Sequence, residues 1–520
     1  MNKIIKDQII KLGLDAHAKG KLIEASKYYK AFINKGLKDR RVFSNYGIIL
    51  KEFGRLEESE ILLLKAIEID SNFALGYYNL GIIYLDLNKI SDAEKVTRRA
   101  IEIDPNLAIA HFSLGNIFRE KGDLKDAETS TRQAIKLKPD FAEAFINLGT
   151  ILKDLGETDE AELMTLESIK LNPKIGRAYN LLGLILLRKG QYNLSLNNFY
   201  KSAEVLRGKH TEFTNELKFK TISRAKIQHD IEQFEYLVSK GYETEKFSSL
   251  THLYKKVENE IDWPSETKLI TLSPKHQNLL RESYNRIIHR IETPRLNDSA
   301  VNKSLNIEKI TNDYFKHSFG LTHIDNFLNN SALEALRKFF LGSTIWFDIK
   351  GGGYIGAYLR EGLANPLLIQ IAEELRNDFP KIFKDYYINE IWAYKYDSRA
   401  KNPNSSLSGI NVHADFAAIN VNFWITPSEA NLNPKSGGLI VYDVEAPKEW
   451  NFNSYNNDIE KIKKELKRSK GETKAISYKG NRAVVFNSNL FHETDTYTFK
   501  EGYENRRINV TMLFGNRKDQ

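Results

Sequence analysis

The chain has 520 residues, 41% hydrophobic and 28% charged, an ordinary balance for globular protein but too long for one compact core, so two or more domains are expected. Its 76 basic and 68 acidic side chains leave a net charge of +8, a mild excess that gives no argument for a nucleic-acid partner. With no cysteine, disulfides, thiolate metal sites and cysteine nucleophiles are excluded, and any metal must be held by His, Asp or Glu.

The first residues, MNKIIKDQIIKLGLDAHAKG, interrupt their apolar positions with charge and lack the apolar core of a signal peptide. The longest apolar run, LLGLILL at 181–187, is far short of the roughly 20 residues that span a bilayer. A cytoplasmic protein with no membrane partner is expected.

From the start of the chain glycine recurs at Gly13, Gly47, Gly81, Gly115, Gly149 and Gly183, at intervals of 34 residues. Seven positions after each stands a turn residue (Gly20, Gly54, Asn88, Gly122, Gly156, Gly190), and twelve after each a small one (Ala25, Ser59, Ala93, Ala127, Ala161, Ser195). Ala66, Ala100 and Ala134 form a further small column, and Pro105, Pro139 and Pro173 close three units. The pattern reads as a helix, a tight turn and a second helix, with small residues where the two touch and proline where the second stops. Such pairs bury their apolar faces only by stacking.

This spacing resembles the tetratricopeptide repeat family over about residues 5–207, in six in-register units. Phe32 and Ser202 stand where alanine is usual, at the two ends of the array. The resemblance implies an all-α superhelix over 1–207 that binds a protein or peptide along its concave groove. Two residues before the repeat glycine stand Asn45, Asn79 and Asn147, with Ser113 between them. The family places this position in the groove, where an amide can donate to and accept from a peptide backbone.

Residues 208–315 show helical periodicity in AKIQHDIEQFEYLVSKG and SPKHQNLLRESYNRIIHRIE between polar connectors, and read as a helical linker that caps the solenoid. Its histidines, His210, His229, His252, His276 and His289, have no metal-ligand spacing.

From HSFGLTHIDNFLNNSALEALRKFF the texture changes to a short strand at 323–327 and a helix capped by Asn330 or Ser331, then a second helix, NPLLIQIAEELRNDF. Alternating, aromatic and β-branched segments follow: YINEIWAYKYD, SGINVHADF, AINVNFWIT, GGLIVYDVE, KAISYKG, RAVVFNSN and RRINVTMLFG. They predict a β-sandwich or barrel within an α+β region. Gly351, Gly352 and Gly353 lack the Lys-Ser/Thr and strand-to-helix setting of a phosphate loop and read as a turn near a site mouth. The basic stretch 461–474 reads as a solvated helix inserted between strands.

In SGINVHADF, read as a strand, His413 and Asp415 project to one face and could share a divalent ion. An apolar strand at 483–486 leads through a polar turn to His492, and Arg507 opens the last strand with Asn509 and Thr511 on its face. Two imidazoles and one carboxylate make the facial set typical of non-heme Fe(II). A buried arginine offers a planar, permanent cation suited to a carboxylate.

The His-x-Asp…His…Arg order resembles the Fe(II)/2-oxoglutarate-dependent oxygenase family over about residues 316–517, and HIDNFLNNSALEALRKFF resembles the entry to its prolyl-hydroxylase-like members. The resemblance implies an oxygenase domain over 316–520 with a double-stranded β-helix (jelly-roll) core. It makes His413, Asp415 and His492 the iron ligands and Arg507 the partner of the cosubstrate's distal carboxylate. Arg506 is the rival, but the family's Arg-x-Ser pattern maps onto Arg507-Ile508-Asn509. Tyr396 falls where relatives place a cosubstrate-bonding tyrosine, with Tyr394 of the same parity and a loop at 398–408 intervening. Asn420 and Asn422 share a face, and one could reach the cosubstrate.

The implied reaction consumes 2-oxoglutarate and O2, with ascorbate as accessory reductant, and hydroxylates a C–H bond of a protein or peptide brought by the repeats. Related halogenases lack the carboxylate, so the resemblance with Asp415 retained implies hydroxylation, or oxidative demethylation through a hydroxylated carbon, and not halogenation. Two other readings stand beside it: a scaffold carrying an inactive oxygenase-like domain, and an oxygenase acting on a small molecule, lipid or glycan.

Overall fold

A helix pair with a small residue at its contact point can approach closely, and the repeat columns do this throughout the first part of the chain. The computed structural model describes residues 2–208, 217–397, 409–469 and 471–517, so His210 and the loop at 398–408 fall outside them. The chain divides into two compact units, Met1–Pro173 and Lys174–Gln520.

The first unit is all helical: α1 Asn2–Ala18, α2 Leu22–Asn34, α3 Arg40–Glu52, α4 Leu56–Ile69, α5 Ala74–Asp86, α6 Ile90–Ile103, α7 Ala108–Lys121, α8 Leu124–Leu137, α9 Ala142–Leu155 and α10 Thr158–Leu171. The turn column explains itself: Gly54, Gly122 and Gly156 have φ of 74°, 81° and 84°, and Asn88, the residue that stands in for glycine, has φ 59°. The small column is fully buried at Ala25, Ser59, Ala93, Ala127 and Ala161. Where serine replaces alanine, its hydroxyl is satisfied: Ser59 Oγ donates to the carbonyl of Gly47, the repeat glycine twelve residues earlier, at 2.7 Å.

The second unit begins with a sixth helix pair, α11 Gly176–Arg188 and α12 Tyr192–Arg207, then β1 Thr221–Ile222, α13 Arg224–Ser239, α14 Thr244–Glu260, β2 Ile270–Thr271, α15 Pro274–Leu280 and α16 Ile307–Lys316. The segment read as a linker has a core of its own, in which Ile227, Phe234, Leu237, Phe247, Tyr254 and Tyr284 are buried together. Gln233 of α13 also donates to the carbonyls of Leu341 and Ser343, which ties this core to the β-rich part.

That part contains β3 Leu321–Asp325, α17 Asn330–Gly342, β4 Asp348–Lys350, β5 Tyr354–Tyr358, α18 Pro366–Asp378, α19 Pro380–Phe383, β6 Ile388–Tyr396, β7 Ile419–Trp424, β8 Leu439–Glu445, α20 Phe452–Asn456, α21 Ile459–Ser469, β9 Thr473–Ile476, β10 Arg482–Asn487, β11 Leu490–Thr494 and β12 Ile508–Phe514. An antiparallel sheet of order β3-β10-β7-β12-β6-β5-β4 and a second of order β11-β8-β9 share an apolar cluster that includes Trp424, Val441, Ile476, Val484 and Phe486.

Three expectations need correction. The first strand lies at Leu321–Asp325, because Asn326 turns the chain with φ 53°. The cap of α17 is Asn329, whose extended backbone lets its side chain accept from Ala332 N at 2.7 Å, and not Asn330 or Ser331. Residues 409–416 form no regular strand: only His413 bridges His492, while Ala414 N donates to Tyr455 O and Asp415 N to Ser488 O. Thr494 N also donates to Ile410 O, but these bonds to the 488–494 stretch are unevenly spaced and Ala414 turns to Tyr455 between them, so no continuous ladder forms. The triple glycine is the turn of the β4–β5 hairpin, and α21 is largely solvated, anchored by the buried Ile462.

Candidate metal centre

The paired main chains of His413 and His492 set their imidazoles side by side, and Asp415 completes a group whose ligand atoms all lie within 4.8 Å of one another. His413 Nδ1 is bonded to Asn411 O at 2.8 Å and His492 Nδ1 to Leu490 O at 3.0 Å. A carbonyl can only accept, so both Nδ1 atoms carry the proton and both Nε2 lone pairs are left for a ligand. Those Nε2 atoms face the two oxygens of Asp415, at 3.7 Å for His413 and 3.4 Å for His492. Asn420 Nδ2 donates to Asp415 Oδ2 at 2.6 Å and steadies the carboxylate from β7.

The protonation states suit a cation. Burial, with repulsion from His492, lowers the His413 pKa to about 4, so the imidazole is neutral at neutral pH. Burial pushes the Asp415 carboxyl up, but the neighbouring His492 and His413 imidazoles and the hydrogen bond from Asn420 hold it below its ordinary value. A neutral His413 imidazole and an ionised Asp415, with His492 turned toward the same point, fit a divalent metal.

The triad opens on a cavity of about 520 Å³ between the sheets. Strand alternation brings Trp392, Tyr394 and Tyr396 of β6, Asn420 and Asn422 of β7, and Asn509 and Thr511 of β12 to its wall. At one end lies Arg507, only 2% exposed, with its guanidinium 4.4 Å from the ring centre of Tyr396. Arg507 Nε donates to Gly437 O at 2.8 Å, Nη2 to Gly438 O at 3.1 Å and Nη1 to Asn509 Oδ1 at 3.3 Å. Among the described residues no carboxylate pairs with it. Arg506 points away from the cavity, with Nε donating to Glu232 at 2.9 Å and Nη1 at 3.7 Å from Asp397. Tyr396 OH lies 3.3 Å from Thr494 Oγ1, and Tyr394 OH 3.3 Å from Tyr358 OH.

The opposite end is walled by residues that the sequence reading missed. Trp392 and Phe416 lie 6.2 Å apart, Phe416 and Phe452 6.4 Å apart, and Asn456 Nδ2 donates to Ala414 O. Glu390, the next cavity-facing position of β6, has its carboxyl raised to about 7 by burial against the pull of Arg360. The alternation in YINEIWAYKYD could have found Glu390 and Trp392, which share the parity of the tyrosines; nothing local marked Phe452, on a five-residue helix.

In the first unit Asn79 Nδ2 donates to Ser44 Oγ at 2.9 Å, joining the first helices of two successive repeats. Asn147 is 8% exposed, with Nδ2 3.4 Å from Thr131 Oγ1, and Asn45 is half-buried. Part of each mapped amide's bonding capacity, at Asn79 and Asn147, is thus used within the fold.

No curated protein sequence matches the chain. Among solved structures, MamA is similar at 25% identity over 31% of this chain and 93% of its own, with a TM-score of 0.28. YrrB, a TPR protein with an unusual peptide-binding site, is similar at 21% identity over 34% of this chain and 92% of its own, with a TM-score of 0.29. The pilF protein of Pseudomonas aeruginosa is similar at 17% identity over 47% of this chain and 97% of its own, with a TM-score of 0.31. Family profiles described as tetratricopeptide repeat match residues 41–73, 74–107 and 142–175, and one described as TPR repeat matches 115–156. With the helix pairs, buried small columns and left-handed turns described above, these matches identify the N-terminal part of the chain as an array of tetratricopeptide repeats.

Proposed function

We propose that the C-terminal unit is an Fe(II)- and 2-oxoglutarate-dependent oxygenase that hydroxylates a C–H bond, its two sheets forming a double-stranded β-helix core. The repeats recruit its protein or peptide substrate. The observation that carries this reading is the presence, in one cavity, of a convergent two-imidazole, one-carboxylate group and a buried guanidinium that, among the described residues, no carboxylate neutralises. The first suits Fe(II), and the second suits the free carboxylate of a dicarboxylic keto acid. Iron with 2-oxoglutarate and O2 supplies the oxidising power for hydroxylation, with succinate and CO2 as co-products.

The chain's own residues do the rest. His413, Asp415 and His492 hold the ion, and their carbonyl and Asn420 partners fix which atoms face it. Arg507, held by two carbonyls beneath Tyr396, receives the distal carboxylate. Trp392, Phe416 and Phe452 form the wall that would meet the substrate and keep water from the reacting carbon.

The test is anaerobic loading of the full chain with Fe(II), then measurement of succinate formed from 2-oxoglutarate on admitting air. Turnover that disappears in His413→Ala supports the reading; absence of metal binding by the wild type overturns it. The repeat matches by themselves also support a protein-interaction scaffold. Under that reading Mn(II) and 2-oxoglutarate together would not raise Tm, whereas a site that binds both must.

A further inference from the structure

Behind the cavity, on the opposite side of β6 and β12, lies a buried cluster of charge that the proposed chemistry does not use. Arg506 is 3% exposed, and its guanidinium is held by Glu232 of α13 at 2.8 Å and faced by Asp397 at 3.7 Å. Beside it Lys395, fully buried, donates from Nζ to Phe340 O at 3.1 Å and Tyr503 OH at 2.7 Å, and sits 4.4 Å over the Trp346 ring. Lys226 and His229 of α13 are bonded to Asp230 on the same helix.

The positions alternate with the cavity wall. Lys395 and Asp397 flank Tyr396, and Arg506 precedes Arg507, so each rear-facing group is one residue from a cavity-facing one. The two segments are also joined directly, Tyr396 N donating to Arg507 O at 2.9 Å, while Arg506 O accepts from Thr426 Oγ1, just after β7, at 2.8 Å. Fixing the Arg506 guanidinium therefore fixes the backbone from which Arg507 projects the other way.

We propose that Glu232, with Asp397, is a positioning residue for the anion-binding end of the cavity, so that the helical segment before the β-rich part sets the placement of Arg507 and Tyr396. The carboxylate of Glu232 offsets a guanidinium that, among the described residues, would otherwise be buried with one distant carboxylate, which would force Arg506 to seek water and pull the start of β12 with it. The effect on cosubstrate affinity rests on the 2-oxoglutarate reading above; the effect on backbone order does not.

The test compares the full chain with Glu232→Gln and Glu232→Asp. In hydrogen exchange without ligand, peptides covering 391–397 and 506–512 should exchange at least about tenfold faster in Glu232→Gln, while those covering 413–424 and 482–494 stay unchanged. In titrations, 2-oxoglutarate affinity of the Mn(II)-loaded protein should fall about tenfold with Mn(II) affinity unchanged, and Glu232→Asp should restore most of it. Unchanged exchange, or unchanged 2-oxoglutarate affinity where the wild type binds it, overturns the proposal. If exchange responds but the wild type takes no 2-oxoglutarate, the positioning role stands and the oxygenase reading falls. If Glu232→Gln does not fold, Asp397→Asn, which removes the 3.7 Å partner, should show the same pattern at smaller size, and a flat result there overturns the proposal.

Discussion

His413 and His492, far apart in sequence, exchange both main-chain hydrogen bonds, at 3.0 and 2.8 Å, and bring their ring centres to 4.3 Å. Since the pairing is made by backbone, His413→Ala should leave the fold intact and remove a ligand. Calorimetric titration should show Mn(II) affinity falling at least about a hundredfold, with the metal-free Tm nearly unchanged.

Asn420 bonds the Asp415 carboxylate and is not one of the three proposed ligands, so Asn420→Ala tests support alone. Losing the 2.6 Å bond frees Asp415 to rotate, and Mn(II) affinity should fall about 10–100-fold with all three ligands present.

Acid should destabilise the metal-free protein in a defined window. The His413 pKa is depressed from 6.5 to about 4, so between those values the unfolded chain binds more protons than the folded one, and stability falls as pH falls. The loss from this residue is roughly 3 kcal/mol by pH 4, and Asp415, also depressed, adds to it at lower pH. Urea melts between pH 7 and 4 should show the decline, and saturating Mn(II) at pH 7 should raise stability in proportion to its affinity.

Gly438 places its carbonyl on Arg507 where an added Cβ would overlap Ile476 O. The neighbour is backbone and cannot step aside, so Gly438→Ala should cost about 1–3 kcal/mol and weaken 2-oxoglutarate binding together. Arg507→Lys, which keeps the charge but loses the fork, should cut 2-oxoglutarate affinity at least about tenfold while sparing Mn(II).

In the repeats, Asn79→Ala should lower stability by about 1 kcal/mol in urea unfolding of the full chain, because the amide joins two successive repeats through Ser44.

The repeats were legible because each column answers to a local rule: positive φ at the turn, no Cβ at the helix contact, apolar burial at fixed spacing. Strands β6 to β10 and β12 were legible from alternation. The reading of residues 409–416 as a strand failed because its bonds to the 488–494 stretch are unevenly spaced and are interrupted by Ala414 N, which donates to Tyr455 O. The motif and strand parity named His413, Asp415, His492 and Arg507; the structure brings the first three together and lines the same cavity with Arg507, while Arg506 turns to Glu232. The aromatic wall at Phe452 and the packing of α13 against Leu341 and Ser343 were not visible, since both depend on contacts between distant segments.

The His413–His492 bridge has a kinetic consequence. It closes a loop of about 80 residues, and such closure is rewarded only when both sheets are in place. Under the proposed metal-binding role, a refolding chain would therefore gain metal affinity late, after most of its strands have paired, which makes capture of Mn(II) a clock for the final closure of the sandwich.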